Sequence, residues 1–169
     1  MRMLNIKRIL APVDLGPESE KVLGVAGDLA ELLHSEVVAL HVVQPVPLLP
    51  MSAQAPPGAT AASFNVPAYQ SLLEEEAEAG LEDLTERVMA SDVNRALLVR
   101  TGRIVPTVLT ECSQGDYDLV VMGSGETETE LEIGLFGSVA ESVVKRADVP
   151  VLVLKNENRT DEEKGGKEE

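Results

Sequence analysis

A buried strand followed by glycines and a helix start is the stretch of this chain whose residue types most clearly suggest chemistry. It runs Leu119-Val-Val-Met-Gly-Ser-Gly125 and, after an acidic segment, continues as Gly134-Leu-Phe-Gly-Ser138. A glycine before a helix lets backbone N–H groups approach an anion closely, and α/β proteins bind ligands at the carboxyl ends of their strands. The pattern therefore predicts a phosphate site.

Four glutamates between the two glycine clusters oppose this assignment: Glu126, Glu128, Glu130 and Glu132. A carboxylate about 8 Å from one phosphate charge costs roughly 2 kcal/mol at an effective dielectric near 20, whereas a helix N-terminus contributes about 0.3–1 kcal/mol to an exposed anion. Alternate residues of an extended loop point to one side, which could be away from the ligand, and a divalent ion could bridge carboxylate and phosphate. The sequence leaves these geometries open.

Apolar segments of strand length alternate along the chain with segments of helical periodicity. The predicted strands are Arg8–Asp14, Glu36–Val43, Ala96–Arg100, Asp116–Gly123 and Pro150–Leu154, and the predicted helices start near Glu18, Leu73, Ile104 and Ser138. This order predicts a single α/β domain with a five-stranded, parallel, doubly wound sheet and helices on both faces. Asp14 then lies at the carboxyl end of the first strand, on the edge where ligands bind.

Composition sets limits on the fold and on the partners. The chain has 169 residues, 44% of them hydrophobic and 2% aromatic, so we expect one domain with a core of Val, Leu, Ile and Ala. Its formal charge of −15 argues against binding to nucleic acid or to anionic membranes. Cys112 is the only cysteine, which excludes an intrachain disulfide and favours a small apolar role on a helix. With no apolar run of signal-peptide or membrane-span length, we expect a cytoplasmic protein.

Two segments lack the pattern of a packed element. No charged residue occurs from Gln44 to Leu73, and six prolines interrupt this region, which predicts a flexible loop over about residues 44–68. Such a loop would be a mobile segment, a lid or a partner surface. The tail from Asn156 to Glu169 is polar and charged and is predicted to be disordered, which leaves residues 1–155 as the domain.

Several of these segments together resemble the universal stress protein family. They are Ile9-Leu-Ala-Pro-Val-Asp14, Leu40-His-Val42, Thr101-Gly102, Asp118-Leu-Val-Val-Met-Gly-Ser124, Gly137-Ser-Val-Ala-Glu141 and Asp148-Val-Pro-Val-Leu-Val153. The resemblance covers about residues 5 to 155. It implies a Rossmann-like fold of the adenine nucleotide alpha hydrolase-like type, a homodimer, and ATP, with or without Mg or Mn, as the ligand.

ATP-binding members of that family carry the signature Gly-x2-Gly-x9-Gly-Ser/Thr around the phosphates. Gly123 matches its first glycine, and Gly137 with Ser138 matches its last pair. The middle departs from the signature, since Glu126 occupies the second glycine position, Gly125 is the nearest glycine, and the spacing is one residue longer. The resemblance implies these nucleotide-binding residues: Pro12, Val13, Asp14, Val42, Met122, Gly123, Gly125, Gly137, Ser138 and Val139.

Two functions follow as hypotheses. The first is a dimeric stress-response protein that binds ATP or a related adenine nucleotide, with Asp14 on the ribose and a homodimer formed through the edge strand 149–154. The alternative is a protein-interaction module of the same fold whose pocket is blocked by the acidic loop 126–132. Asp14 and Ser138 also have simpler interpretations as helix caps.

No catalytic motif points to a hydrolase or a phosphotransferase. The chain has no Gly-x-Ser-x-Gly elbow, no Walker lysine loop and no histidine-rich metal cluster. We therefore expect no dedicated enzyme activity, with slow ATP hydrolysis left open.

Overall fold

The computed structural model describes residues 5–46, 66–125 and 137–155, and strands and helices alternate along these ranges. The strands are β1 (Arg8–Pro12), β2 (Glu36–Val43), β3 (Arg95–Thr101), β4 (Leu119–Gly123) and β5 (Val151–Leu154). The helices are α1 (Glu18–Leu33), α2 (Val66–Val88), α3 (Ile104–Gln114) and α4 (Ser138–Arg146). In this part of the chain, no helix is both long and apolar enough to cross a membrane.

The described strands form one sheet in the order β3-β2-β1-β4-β5. Each neighbouring pair is parallel, with Pro12 opposite Leu40 between β1 and β2, and Leu10 opposite Val120 between β1 and β4. The strand order reverses between β1 and β4, because the chain winds first toward β3 and then toward β5. The predicted five-stranded, parallel, doubly wound α/β fold is confirmed.

The sheet separates two apolar cores, one under each pair of helices. Alternate side chains of β1 point to opposite faces, so Ile9 and Ala11 pack with α1 and α2, while Leu10 packs with α3 and α4. Cys112 is buried on α3 within the second core, where burial raises the pKa of its thiol. This is the apolar role expected for the cysteine.

Helix α2 begins earlier than the sequence indicated. It starts at Val66, whereas the loop was expected to reach about residue 68 and the helical periodicity to begin at Leu73. Pro67 lies in the first turn, where no intrahelical N–H donor is needed, so it fits the helix there. Residues 47–65 of the predicted loop and the predicted tail 156–169 lie outside the described residues.

Strand β4 begins at Leu119, three residues later than predicted. Asp118, just before the strand, uses its carboxylate to hold the backbone at the start of β1. Its Oδ2 accepts hydrogen bonds from the backbone N–H groups of Lys7, at 2.7 Å, and Arg8, at 3.1 Å. Asp116, at the predicted start, has a left-handed backbone with φ of 50°. A residue in that conformation belongs to a turn, since it cannot continue a strand.

Two glycines in α1 differ in their surroundings and allow a matched test of packing. A Cβ on Gly24 would meet no atom within 4 Å, whereas a Cβ on Gly27 would lie 3.1 Å from Met89 Cγ. Gly27 therefore packs closely against the residue that follows α2, and Gly24 does not.

We expect Gly24→Ala to raise the free energy of unfolding by about 0.5–1 kcal/mol, the usual gain from replacing glycine in a helix interior. Gly27→Ala should raise the free energy of unfolding by less, or lower it, because the Met89 side chain has to move to make room for the added Cβ. Urea unfolding of the two variants measures the difference. Equal gains at both positions would contradict the packing described for Gly27.

Candidate functional site

A cleft of about 590 Å³ lies at the carboxyl ends of the central strands, at the reversal of strand order. It is lined by nine of the ten residues predicted for the site: Pro12, Val13, Asp14, Val42, Met122, Gly123, Gly125, Ser138 and Val139. The tenth, Gly137, is buried immediately before Ser138. Residues from four separate segments of the chain therefore meet at one cleft.

Asp14 occupies a turn that links β1 to α1. Its Oδ1 accepts hydrogen bonds from the Gly16 N–H at 2.8 Å and from the Ser19 hydroxyl at 3.0 Å. Pro17 occupies the capping position of α1 and makes no side-chain capping hydrogen bond, and the bond of Asp14 to this turn goes to the Ser19 hydroxyl and not to a backbone N–H of the helix. Asp14 thus organises the turn before the helix, and its simpler interpretation as the cap of α1 is wrong.

The wall opposite the turn is formed by the end of β2. His41 Nδ1 lies 2.9 Å from the Val13 carbonyl oxygen. Since a carbonyl only accepts, Nδ1 carries the proton in this bond, and Nε2 of a neutral ring is left as an acceptor. His41 ties β2 to the residue before Asp14 and also lines the cleft.

Glycine is required where β4 meets α4. The Gly137 N–H donates to the Ser124 carbonyl oxygen at 2.9 Å, and a Cβ on Gly137 would overlap the Gly125 carbonyl oxygen. Gly125 itself has a left-handed backbone with φ of 60°. The two glycines that flank the acidic loop are thus brought into backbone contact.

Ser138 is the first residue of α4, and the capping position is Gly137, which offers no side chain. The interpretation of Ser138 as the helix cap is therefore wrong. The Ser138 side chain is exposed at the cleft, beside the backbone N–H groups of the first helical turn. Because those groups have no intrahelical partner, they are suited to an anion.

The hydroxyl of Ser124 is fully buried and has no hydrogen-bond partner among the described residues. An unsatisfied buried hydroxyl costs about 1–3 kcal/mol. Ser124 lies between Gly123 and Gly125, which both line the cleft. A hydroxyl without a partner thus adjoins the loop predicted to hold phosphate.

The charged side chains among the described lining residues are both acidic: Asp14 and Glu18. Glu18 is half-buried, and its Oε2 lies 3.0 Å from the position of a Cβ on Gly123. Sequence reasoning missed it as a site residue. The signal was its spacing, because Glu18 is one helical turn before Val22, a core residue, and so shares the inner face of α1.

No group of three or more His, Cys, Asp or Glu side chains within the described residues is arranged to hold a metal ion. The acidic segment with Glu126, Glu128, Glu130 and Glu132 lies outside those residues.

Comparison with known proteins agrees with this geometry. The sequence model of the universal stress protein family matches residues 5–155. The chain belongs to the universal stress protein family. It is 30% identical over 149 residues to the universal stress protein MJ0531 of Methanocaldococcus jannaschii, an alignment that covers 88% of this chain and 82% of that protein.

Solved universal stress proteins share the fold. UspA from Lactobacillus plantarum superposes with a TM-score of 0.69 and 22% identity, covering 89% of this chain and 98% of that chain. A universal stress protein from Archaeoglobus fulgidus, solved in complex with dAMP, superposes with a TM-score of 0.53 and 18% identity, covering 89% and 98%. The family resemblance noted in the sequence is confirmed.

Replacement of Gly137 by alanine tests the contact between the two glycines. We expect Gly137→Ala to lower the free energy of unfolding by about 1–3 kcal/mol, because the added Cβ would overlap the Gly125 carbonyl oxygen and force the backbones apart. Urea unfolding measures the loss, with Gly24→Ala as the control for adding a methyl group in open space. Unchanged stability of Gly137→Ala would contradict the contact.

Proposed function

We propose that this universal stress protein binds ATP or a related adenine nucleotide in the cleft and acts as a dimeric stress-response protein. The observation that carries the proposal is the convergence of four segments on one cavity, with these lining residues: Pro12, Val13, Asp14, Val42, Met122, Gly123, Gly125, Ser138 and Val139. Its volume, about 590 Å³, is within the usual range of about 300–1,000 Å³ for small-molecule sites. The dAMP bound by the Archaeoglobus fulgidus relative supports an adenine ligand.

The two ends of the cleft suit different parts of a nucleotide. Val13 and Val42 provide apolar surface for the base, with Pro12 and Met122 beside them. Asp14 uses Oδ1 for its turn, and its carboxylate is exposed, so the second oxygen is available to accept from ribose hydroxyls. The ribose hydroxyls would then have a hydrogen-bond acceptor next to the apolar residues that contact the base.

The phosphates belong at the glycine end. Gly123, Gly125 and Gly137 leave the backbone uncovered, and Ser138 and Val139 begin α4 with free N–H groups. The contact of Gly137 with Gly125 closes a glycine-lined cradle beside the first turn of α4, and a Cβ at position 137 would force the two backbones apart. The described residues of the cradle would hold phosphate, and a Mg or Mn ion would be held through the phosphates and a carboxylate.

The alternative proposal is a protein-interaction module with the cleft blocked by residues 126–132. The observation that favours it is the absence of Lys and Arg from the described lining of the cleft, where Asp14 and Glu18 carry the charge. Among the described lining residues, only the dipole of α4 and its backbone N–H groups would balance the negative charge of a phosphate.

Nucleotide titration separates the two proposals. ATP with magnesium at a hundred times its dissociation constant should stabilise the protein by about 2.7 kcal/mol, read as a rise in Tm. No shift at millimolar ATP would remove the nucleotide proposal. Asp14→Asn should weaken binding about tenfold or more, because it keeps the Oδ1 acceptor of the turn but loses the charged acceptor for ribose.

Ser19→Ala is the matched control, since it removes one hydrogen bond to Asp14 and keeps the carboxylate. Its effect on affinity should be smaller than that of Asp14→Asn. Equal effects would show that Asp14 acts through the turn alone.

We further propose a homodimer through the edge strand at residues 149–154. Strand β5 is at one edge of the described sheet, and Leu152 on it and Val144 on the adjacent α4 are 38% and 45% exposed. An apolar edge strand with free backbone groups favours pairing with a second copy.

Leu152→Lys should convert the dimer to a monomer at micromolar concentration, as measured by light scattering, because the charge would be buried in the interface. Leu97→Lys is the control, since Leu97 is also 38% exposed and lies on β3 at the opposite edge. A monomeric wild type, or dimer loss in both variants alike, would contradict this assignment.

A further inference from the structure

We propose that Glu18 makes the cleft select adenine ligands by their phosphate charge, favouring those with little charge over ATP when no divalent cation is present. The inference rests on the proposed function, because it concerns the same cleft. It assigns to Glu18 a role as a specificity-determining residue. The cleft then favours adenosine monophosphate over the triphosphate on electrostatic grounds.

The position of Glu18 is the first step. It opens α1 on the inner face of the helix, one turn before the buried Val22, and its Oε2 lies 3.0 Å from the position of a Cβ on Gly123. Gly123 is the first glycine of the proposed phosphate cradle. The carboxylate is therefore held over the end of the cleft where the phosphates belong.

The second step is that no positively charged side chain balances the Glu18 carboxylate within the described part of the cleft. Glu18 has no ion-pair partner among the described residues, and no lysine or arginine lines the described part of the cleft. Glu20, two residues further along α1, is different: it is exposed and pairs with Arg87 at 2.5 Å. The first turn of α1 thus holds one carboxylate that is balanced outside the cleft and one that is unbalanced inside it.

The third step is the size of the effect. Two unit charges about 5 Å apart at an effective dielectric near 20 repel strongly enough to change affinity by roughly 270-fold. Solvent and salt reduce this at a half-exposed site, so we expect about tenfold for ATP. The repulsion grows with the number of phosphate charges and is absent for adenosine.

The experiment compares adenosine, AMP and ATP by calorimetry on the full chain in low-salt buffer with EDTA. Glu18→Gln removes the charge and preserves the shape of the side chain. We expect this variant to bind ATP about tenfold more tightly than wild type, to tighten AMP binding by a smaller factor, and to change adenosine affinity by less than twofold. Glu18→Ala should give the same order of ligands. Glu20→Gln is the matched control and should leave all three affinities unchanged, because it removes the same charge outside the cleft.

Two results would overturn the proposal. One is equal tightening of adenosine and ATP in Glu18→Gln, since that would reflect space and not charge. The other is an ATP affinity in EDTA that Glu18→Gln leaves unchanged or weakens.

The failure of this inference differs from the failure of the proposed function. If wild type binds adenosine and ATP with a ratio that Glu18→Gln does not change, the nucleotide site stands and the role of Glu18 falls. If neither protein binds any of the three ligands, the proposed function falls and the inference falls with it.

Discussion

The double pairing of β1 is the constraint on which the cleft depends. Because β1 pairs in parallel with β2 on one side and with β4 on the other, the segments that follow these strands leave the sheet at the same edge. Hydrogen bonding continues past the strand ends, from Val13 N–H to Leu40 O at 2.8 Å and from Ser124 N–H to Leu154 O at 2.9 Å. Residues far apart in sequence are thereby held side by side, although no one segment of the chain could form the site alone.

The turn after β1 is held in a strained form by packing and hydrogen bonds. Leu15 has φ of 62°, a left-handed conformation that costs a residue with a Cβ roughly 1 kcal/mol or more. The two hydrogen bonds of Asp14 Oδ1 offset this cost. Leu15 also packs into the first core, where its Cδ1 would lie 3.2 Å from a Cβ on Gly80 of α2. The turn that presents Asp14 is therefore fixed jointly by α1 and α2.

The sequence predicted the features that local chemistry controls. The continuous β-branched run predicted β2 at its observed bounds, Glu36–Val43, and Gly137-Ser138 predicted the start of α4 at Ser138. The start of α2 was missed because Pro67 was interpreted as a helix breaker, although the first turn accepts proline. The contact of Gly137 with the Gly125 carbonyl could not be predicted, since it depends on how α4 docks against β4.

Glu18 shows how one residue can satisfy the helix and oppose the ligand. A carboxylate in the first turn of a helix is stabilised by the positive end of the dipole, and Glu18 and Glu20 both occupy that turn of α1. Residues at the N-termini of α1 and α4 both line the cleft, through Glu18 and Ser138. At α4 the lining residues Ser138 and Val139 carry no charge, and the acidic residue of that first turn, Glu141, pairs with Lys145 and is not part of the lining, whereas at α1 the lining includes the carboxylate of Glu18. A phosphate in the cleft would gain from one helix and be repelled at the other, so the charge of the ligand decides the balance.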